Sequence, residues 1–284
     1  MNVRNVLSQG YPFIQAIKAA LPICDEFVIS DGDSDDGTYE ELQKLEKRYS
    51  KIHLARIPWR FKKANTKFGE VIAETANKTR KLCEGEYLFY IQANEIVHEK
   101  SIDSIRRLPK MFPFTEIFHL PFILLMRDAV IEYQFRARLF KNIPEIAVVK
   151  DAAQVSYTYR VMIKRLAYIL FTFQSNMKIY DMFTRGGMDS VLFQHVTLPM
   201  PIFRYASLSA KEYIKKLEQH KILFRSMSKN FDNGISYLKR YGFNDKYIQS
   251  VLKNKKSGYV SNKIIRIHNQ QPKIMKKVLF GGRR

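Results

Sequence analysis

The 284-residue sequence has few cysteines, few acids and no long apolar run, and each shortage excludes something. Its two cysteines, Cys24 and Cys83, both lie in apolar stretches with helical spacing. Two thiols make no disulfide framework, so the expectation is a reducing compartment. The six histidines, His53, His98, His119, His195, His220 and His268, show no metal-ligand spacing, and neither HxxxH nor CxxC occurs. No stretch of 18 apolar residues is present, and the beginning of the chain does not resemble a signal peptide. These features lead us to expect a cytoplasmic protein, free or held on the cytoplasmic face of a membrane. Internal repeats and low-complexity runs are also missing.

Acids are outnumbered 27 to 48 by Lys and Arg, for a net charge of +21. The imbalance is uneven, because residues 211 to 284 hold 19 Lys or Arg against 4 Asp or Glu. A basic end implies an acidic partner: an anionic membrane surface, a phosphorylated substrate or nucleic acid. The basic residues fall into no RNP, helix-turn-helix or finger pattern, so no specific nucleic acid is expected. What is plentiful is apolar and aromatic content, with 20 Phe and 16 Tyr, enough for a large packed core.

One stretch organises the rest. Phe27 to Ser30 is a short apolar run that ends in Asp31-Gly-Asp33-Ser-Asp35-Asp36-Gly37. A helix follows from Thr38, and the Thr38 and Glu41 pair predicts a capping box. Before it lie a strand stub at Val3 to Val6 and a helix over 13 to 21. After it come a helix to Tyr49, a strand over 52 to 57, a helix over about 65 to 83, a strand over 86 to 91 and a helix from about Ser101 to Leu108. That alternation predicts a mostly parallel sheet with helices on both faces. Ligands bind at the carboxyl edge of such sheets, where Asp31 and Gln92 are expected to meet. After Pro109 the pattern changes to strand candidates at Ile117 to Met126, Arg136 to Phe140 and Val148 to Asp151, read as an antiparallel extension. Helical stretches follow at Val161 to Phe173 and Lys211 to Asn230. The domain expectation is a nucleotide-binding core at 1–155, a helical insertion at 156–210 and a basic helical extension at 211–284.

Ser30-Asp31-Gly-Asp33-Ser34-Asp35-Asp36-Gly37-Thr38 resembles the acidic stretch of family 2 glycosyltransferases with the GT-A fold. Val3-Arg4-Asn5, Gly10-Tyr11-Pro12-Phe13 and Ala20 to Phe27 bring it nearest to a branch common in archaea and their viruses. Arg138 to Asn142 and Phe203-Arg204-Tyr205 are similar to later landmarks. The likeness runs over residues 1 to 210 and is specific over 1 to 100.

The resemblance implies transfer of a sugar from a UDP- or GDP-type donor to a hydroxyl on a glycan, protein or lipid-linked acceptor, with inversion. It places Arg4, Asn5, Asp31 and Asp33 at the nucleoside. Gln92-Ala93-Asn94-Glu95 stands where the family carries its metal-binding Asp-x-Asp, and amides are weaker ligands for hard cations than carboxylates. Two alternatives follow. A Mn or Mg ion is held by Glu95 and Asn94, or the site is metal-independent and Arg204, Arg136 and Arg138 neutralise the diphosphate. Asp151 is the expected general base, with Asp128 and Glu132 as rivals, and Arg204 is the second catalytic candidate. Loss of both Asp-x-Asp acids also fits a non-catalytic nucleotide-sugar-binding protein. Membrane contact is expected at Val161 to Phe173 or the basic end.

Overall fold

Strand β1 (Asn2–Val3), β2 (Phe27–Asp31) and β3 (Ile52–Arg56) form a parallel ladder in that order. They belong to a computed structural model that describes residues 1–60, 68–126, 128–149, 154–157, 193–223, 228–254, 265–267 and 270–280. Every residue of β2 is buried, because the ladder is covered on both faces. Side chains alternate along a strand. Phe27 and Ile29 therefore enter the main core with Ile17 of α1 (Phe13–Ala20) and Leu42 of α2 (Thr38–Arg48). Ser30 points the other way and meets Thr79 of α3 (Phe68–Arg80), oxygen to oxygen at 2.6 Å.

The predicted capping box does not form. Gly37 is the cap residue of α2, at φ 89°, and Thr38 is the first helical residue. The carboxylate that caps the helix is Asp36, whose Oδ1 accepts the Thr38 N–H at 3.0 Å. Glu41 pairs with Lys44 at 2.6 Å instead. Only a glycine takes that left-handed turn without strain, and the turn brings Asp36 into capping range.

Beyond α3 the sheet becomes mixed. β4 (Tyr87–Phe89) does not extend the parallel ladder but pairs antiparallel with β7 (Ala129–Lys141). The long hairpin of β6 (Ile117–Met126) and β7 is the spine of a seven-stranded sheet. β10 (Phe193–His195) and β11 (Ile202–Ser207) run parallel to β6. β5 (Glu95–Ile96) lies antiparallel on β11, and β8 (Ile146–Val149) pairs with β9 (Gln154–Tyr157). The antiparallel extension expected after Pro109 is present, and β7 is longer than the expected Arg136 to Phe140. One 3-10 turn leads into α4 (Ile102–Met111), which contains Pro109 instead of ending before it.

Helices α5 (Ala210–Leu223), α6 (Ser228–Tyr241) and α7 (Asp245–Asn254) share an apolar cluster with the end of the hairpin. Leu217, Leu238 and Ile248 pack there against Met126, Ala129 and Ile131. β12 (Ile265–Arg266) then pairs with β7, and Arg266 Nη1 bonds Asp128 Oδ1 at 2.7 Å. α8 (Lys273–Phe280) packs on α1. These parts of the basic end are stitched into the fold. Among the described residues no helix is long and apolar enough to cross a membrane. Asp151 and the stretch Val161 to Phe173 lie outside the described residues.

Candidate functional site

Parallel register puts Val3, Asp31 and Arg56 in line across β1, β2 and β3. The residues just past them form the carboxyl edge: Arg4, Gly32 and Ile57. Short backbone bonds lock this edge, with Gly32 N–H on Val3 O at 2.7 Å and Ile57 N–H on Asp31 O at 2.8 Å.

Asp31 is fully buried at the centre of the edge. Its Oδ2 accepts the N–H groups of Asp33 at 3.0 Å and Ser34 at 2.9 Å, which closes a tight turn. Its Oδ1 is buried and meets no hydrogen-bond donor. A buried carboxylate oxygen left unanswered is costly and calls for a water, an ion or a functional role to explain it. Asn5 and Asp33 are the described non-glycine residues with positive φ, at 51° and 71°. Backbone of this kind persists only where the surroundings hold it in place.

Most of the acidic stretch is spent on that holding. Asn5 and Asp35 exchange two bonds: Asn5 Nδ2 donates to Asp35 Oδ1 at 2.8 Å, and Asp35 N–H donates to Asn5 Oδ1 at 3.0 Å. Asp36 Oδ2 accepts the Ser8 N–H at 2.7 Å. The bonds from Ser8 and Thr38 hold its carboxyl below the ordinary range against the opposing effect of partial burial, the largest single influence. Asn5 is thus a clamp between two loops. Arg4 stands beside it, and its guanidinium has no hydrogen-bond or ion-pair partner among the described residues.

Arg56, Tyr39 and Trp59, all at this edge, were not among the expected site residues. Arg56 Nη2 is 3.0 Å from Asp33 Oδ1, its Nε is 3.8 Å from Asp31 Oδ2, and it lies over the Tyr39 ring at 4.5 Å. Trp59 covers Gly32 so closely that a Cβ on that glycine would stand 2.5 Å from the indole. The signal for Arg56 was available: a strand that follows β2 through one helix ends beside Asp31, so the last residues of the strand over 52 to 57 belong to the edge.

The second half of the site begins at Tyr90, whose hydroxyl donates to Asn2 Oδ1 on β1 at 2.8 Å. That bond brings the end of β4 against the carboxyl edge of the parallel ladder. Burial pushes the Tyr90 phenol well up, so it stays protonated. Gln92 to Glu95 form a tight turn, with Glu95 N–H on Gln92 O at 3.0 Å and Gln92 N–H on Glu95 Oε2 at 3.2 Å. Arg138 binds the Glu95 carboxylate with two donors, Nη2 to Oε1 at 2.7 Å and Nε to Oε2 at 2.9 Å. Both side chains are fully buried. Burial favours the protonated form of Glu95, but the charge and bonds of Arg138, with help from Arg204, outweigh it and keep the carboxyl ionised.

This geometry bears on the expected metal ligands. Glu95 is occupied by Arg138, and Asn94 donates its amide to Tyr205 O at 2.9 Å in a buried position. The Glu95 carboxylate is thus answered by a guanidinium on both oxygens, while the Asn94 bond uses its NH2 group and not its Oδ1. Among the described residues no group of three His, Cys, Asp or Glu is placed to hold a metal ion. Arg138, expected at the diphosphate, is a structural partner of Glu95. Arg204 lies directly opposite Glu95 in the β11 and β5 register, and this partly buried residue's guanidinium has no hydrogen-bond or ion-pair partner among the described residues. The cluster of Glu95, Arg138 and Arg204 therefore carries one net positive charge. Asp128, a rival for the base, is taken by Arg266.

A cavity of about 670 Å³ lies elsewhere, at the amino-terminal ends of β1, β2 and β4. It is bordered by Phe27, Tyr87 and both cysteines. Burial pushes the Cys24 thiol up to about 11 and moves Cys83 the same way, so neither is a poised nucleophile. Cavity size and sheet topology thus point to opposite edges. The topology is preferred, because the strained backbone and the buried carboxylate oxygen without a donor are at the carboxyl edge.

No protein-family model matches the chain, and no curated protein matches it. Among solved structures it is similar to TarS of S. aureus, at 11% identity over 88% of this chain, with a TM-score of 0.36. It spans 41% of that TarS chain. It is also similar to TarS 1-349, at 9% identity over 67% of that chain, and to TarS 1-349 in complex with UDP, at 10% identity over 68% of that chain. Both have a TM-score of 0.37 and cover 88% of this chain.

Proposed function

We propose that this chain is a glycosyltransferase that takes a sugar from a UDP- or GDP-type donor. The observation that carries the reading is Asp31 Oδ1, a buried acceptor with no donor at the carboxyl edge of a parallel ladder. A ribose hydroxyl or a base N–H supplies the missing donor, and a hydrogen bond to a charged acceptor is among the stronger ones. Arg4 and Arg56 flank the same edge. Arg204, without a hydrogen-bond or ion-pair partner among the described residues, adds positive charge where the end of β4 meets the edge, which suits a diphosphate.

In the proposed reaction a general base removes the acceptor hydroxyl proton. The acceptor oxygen attacks the anomeric carbon, and the bond to the diphosphate breaks with inversion. The leaving nucleoside diphosphate takes the electron pair, and Arg204 stabilises its growing charge. Asp151 is our candidate base. Since both oxygens of Glu95 are taken by Arg138, the transfer is proposed to run without Mn or Mg. The same Glu95 and Arg138 pair also favours a second reading, binding without transfer.

Calorimetry with UDP and with GDP, each in EDTA and again with manganese, tests the donor. The expected result is binding of one of them that EDTA does not weaken. Absence of binding to both overturns the reading, and a strict manganese requirement overturns its metal-free form. Release of free sugar from the donor by the purified protein separates a transferase from a binding protein.

A further inference from the structure

We infer that the turn between α4 and β6 is a contact surface for anionic phospholipid bilayers. Met111 and Phe114 are 61% and 78% exposed, the highest values among the large apolar side chains described. They are three residues apart on one short turn. Isolated exposed apolar residues are ordinary; two on one short turn, held outward by a fixed support, call for an explanation.

The support is rigid. Phe112, between them, turns inward, with its ring 6.3 Å from that of Phe118. Its N–H bonds Leu108 O at 2.9 Å, and the Thr115 N–H bonds Phe112 O at 3.0 Å. Tyr87 Oη donates to Thr115 O at 3.1 Å, and Lys141 Nζ to Pro113 O at 3.2 Å. The chain therefore holds Met111 and Phe114 outward at the cost of exposed apolar area.

Charge identifies the occupant. α4 buries Ile105 and Leu108 and exposes Arg106, Arg107 and Lys110, with Asp103 the one acid in that helix. Lys141 sits on the other side of the turn with its ammonium on Pro113 O, near Glu116, so the cations of α4 dominate the charge there. Apolar tips behind a collar of long cations suit a lipid interface, where the tips enter the acyl boundary and the cations reach the headgroups. A protein interface of ordinary size needs roughly 800 Å² per partner, more than two side chains on a turn present. Arg106 and Lys110 also border the cavity at the amino-terminal strand ends. Docking through this turn therefore leaves the carboxyl edge, with Asp31, on the far side of the sheet. The inference does not depend on what binds at that edge.

Flotation of the full chain with vesicles of phosphatidylcholine, alone or mixed with phosphatidylglycerol, tests it. The expected result is binding to the mixed vesicles. Met111→Ser with Phe114→Ser should lower the partition coefficient at least about tenfold, the scale expected from leaving two apolar side chains in water. Arg106→Gln, Arg107→Gln and Lys110→Gln together should remove the preference for phosphatidylglycerol. All five positions are exposed, so circular dichroism should show an intact fold. In a Phe114→Trp variant, lipids brominated on the acyl chains should quench emission beyond that of Trp59. No flotation with mixed vesicles, unchanged flotation of the double serine variant, or no added quenching each overturns the inference. Flotation that depends on charge alone does so too.

Discussion

The Glu95 carboxylate and the Arg138 guanidinium meet as a two-point pair at 2.7 and 2.9 Å, and neither side chain reaches solvent. Arg204 stands across the β5 and β11 ladder from the same carboxylate. Removing one member of a buried pair typically costs about 3–5 kcal/mol, whereas replacing both with apolar groups is often neutral. The three-membered cluster adds an asymmetry. Arg138→Met leaves Glu95 with Arg204 still near, but Glu95→Leu leaves two cations with no counter-charge. Urea denaturation should therefore rank Glu95→Leu as the more damaging single change, with the double variant closer to wild type than either. An equal loss for both singles would remove Arg204 from the cluster.

The pair also sets an acid limit. The folded Glu95 carboxyl lies below its ordinary value of 4.5, although burial opposes this. A depressed folded value means that the unfolded chain takes up the proton first. The contribution of Glu95 is thus complete above 4.5 and is lost as pH falls through the folded value. Denaturation curves recorded from neutral to acid pH should show the stability of the wild type dropping below that point. The Glu95→Leu/Arg138→Met variant should drop less steeply.

The elements near Asp31 were legible because their signals are local. Phe27 to Ser30 is too apolar and too short for anything but a strand covered on both faces, and the turn residues mark its end. What Asp35 and Asp36 do was not legible. Their partners, Asn5 and Ser8, are about thirty residues away, and four aspartates in six positions look alike until the loops meet. Likewise the βα rhythm was read correctly through β4, but rhythm fixes neither partner nor direction. β4 pairs with β7, whose end lies some fifty residues further on. The role of Glu95 was hidden for the same reason. Its partner Arg138 is 43 residues away, and the resemblance gave each of them a separate job at the donor.

Asp31→Asn separates stability from binding. The amide keeps an oxygen for the Asp33 and Ser34 N–H groups but removes a buried negative charge whose second oxygen has no donor. The apo protein should lose little stability and is expected to gain some, as at other sites where a strained group serves a ligand. Affinity for the nucleoside diphosphate should fall by roughly 10–100-fold, the worth of a hydrogen bond to a charged group. Melting curves with and without UDP or GDP measure both at once.

Gly32→Ala tests the cover over the site. The added Cβ would sit 2.5 Å from Trp59 Cδ1 and Nε1, too near for the ring to stay. Overpacking of this kind costs about 1–3 kcal/mol. Trp59 is the sole tryptophan in the chain, so its displacement can be read directly. Emission should shift to longer wavelength in the variant, and nucleotide binding should weaken with it. An unshifted spectrum would mean that the indole does not cover Gly32 in solution.

Arg204→Gln addresses the diphosphate. The proposed donor places its nucleoside at Asp31 and its phosphates near Arg204, so the two halves of the ligand should respond separately. Affinity for UDP should fall by roughly tenfold or more, since a phosphate loses a charged partner. Affinity for uridine should change little. Asp31→Asn should weaken both. If a metal ion carried the diphosphate instead, Arg204→Gln would leave UDP binding nearly intact and EDTA would abolish it. Calorimetry on the two variants with uridine and UDP, each with and without EDTA, distinguishes the two arrangements. With GDP as the accepted nucleotide, guanosine replaces uridine and the argument is unchanged.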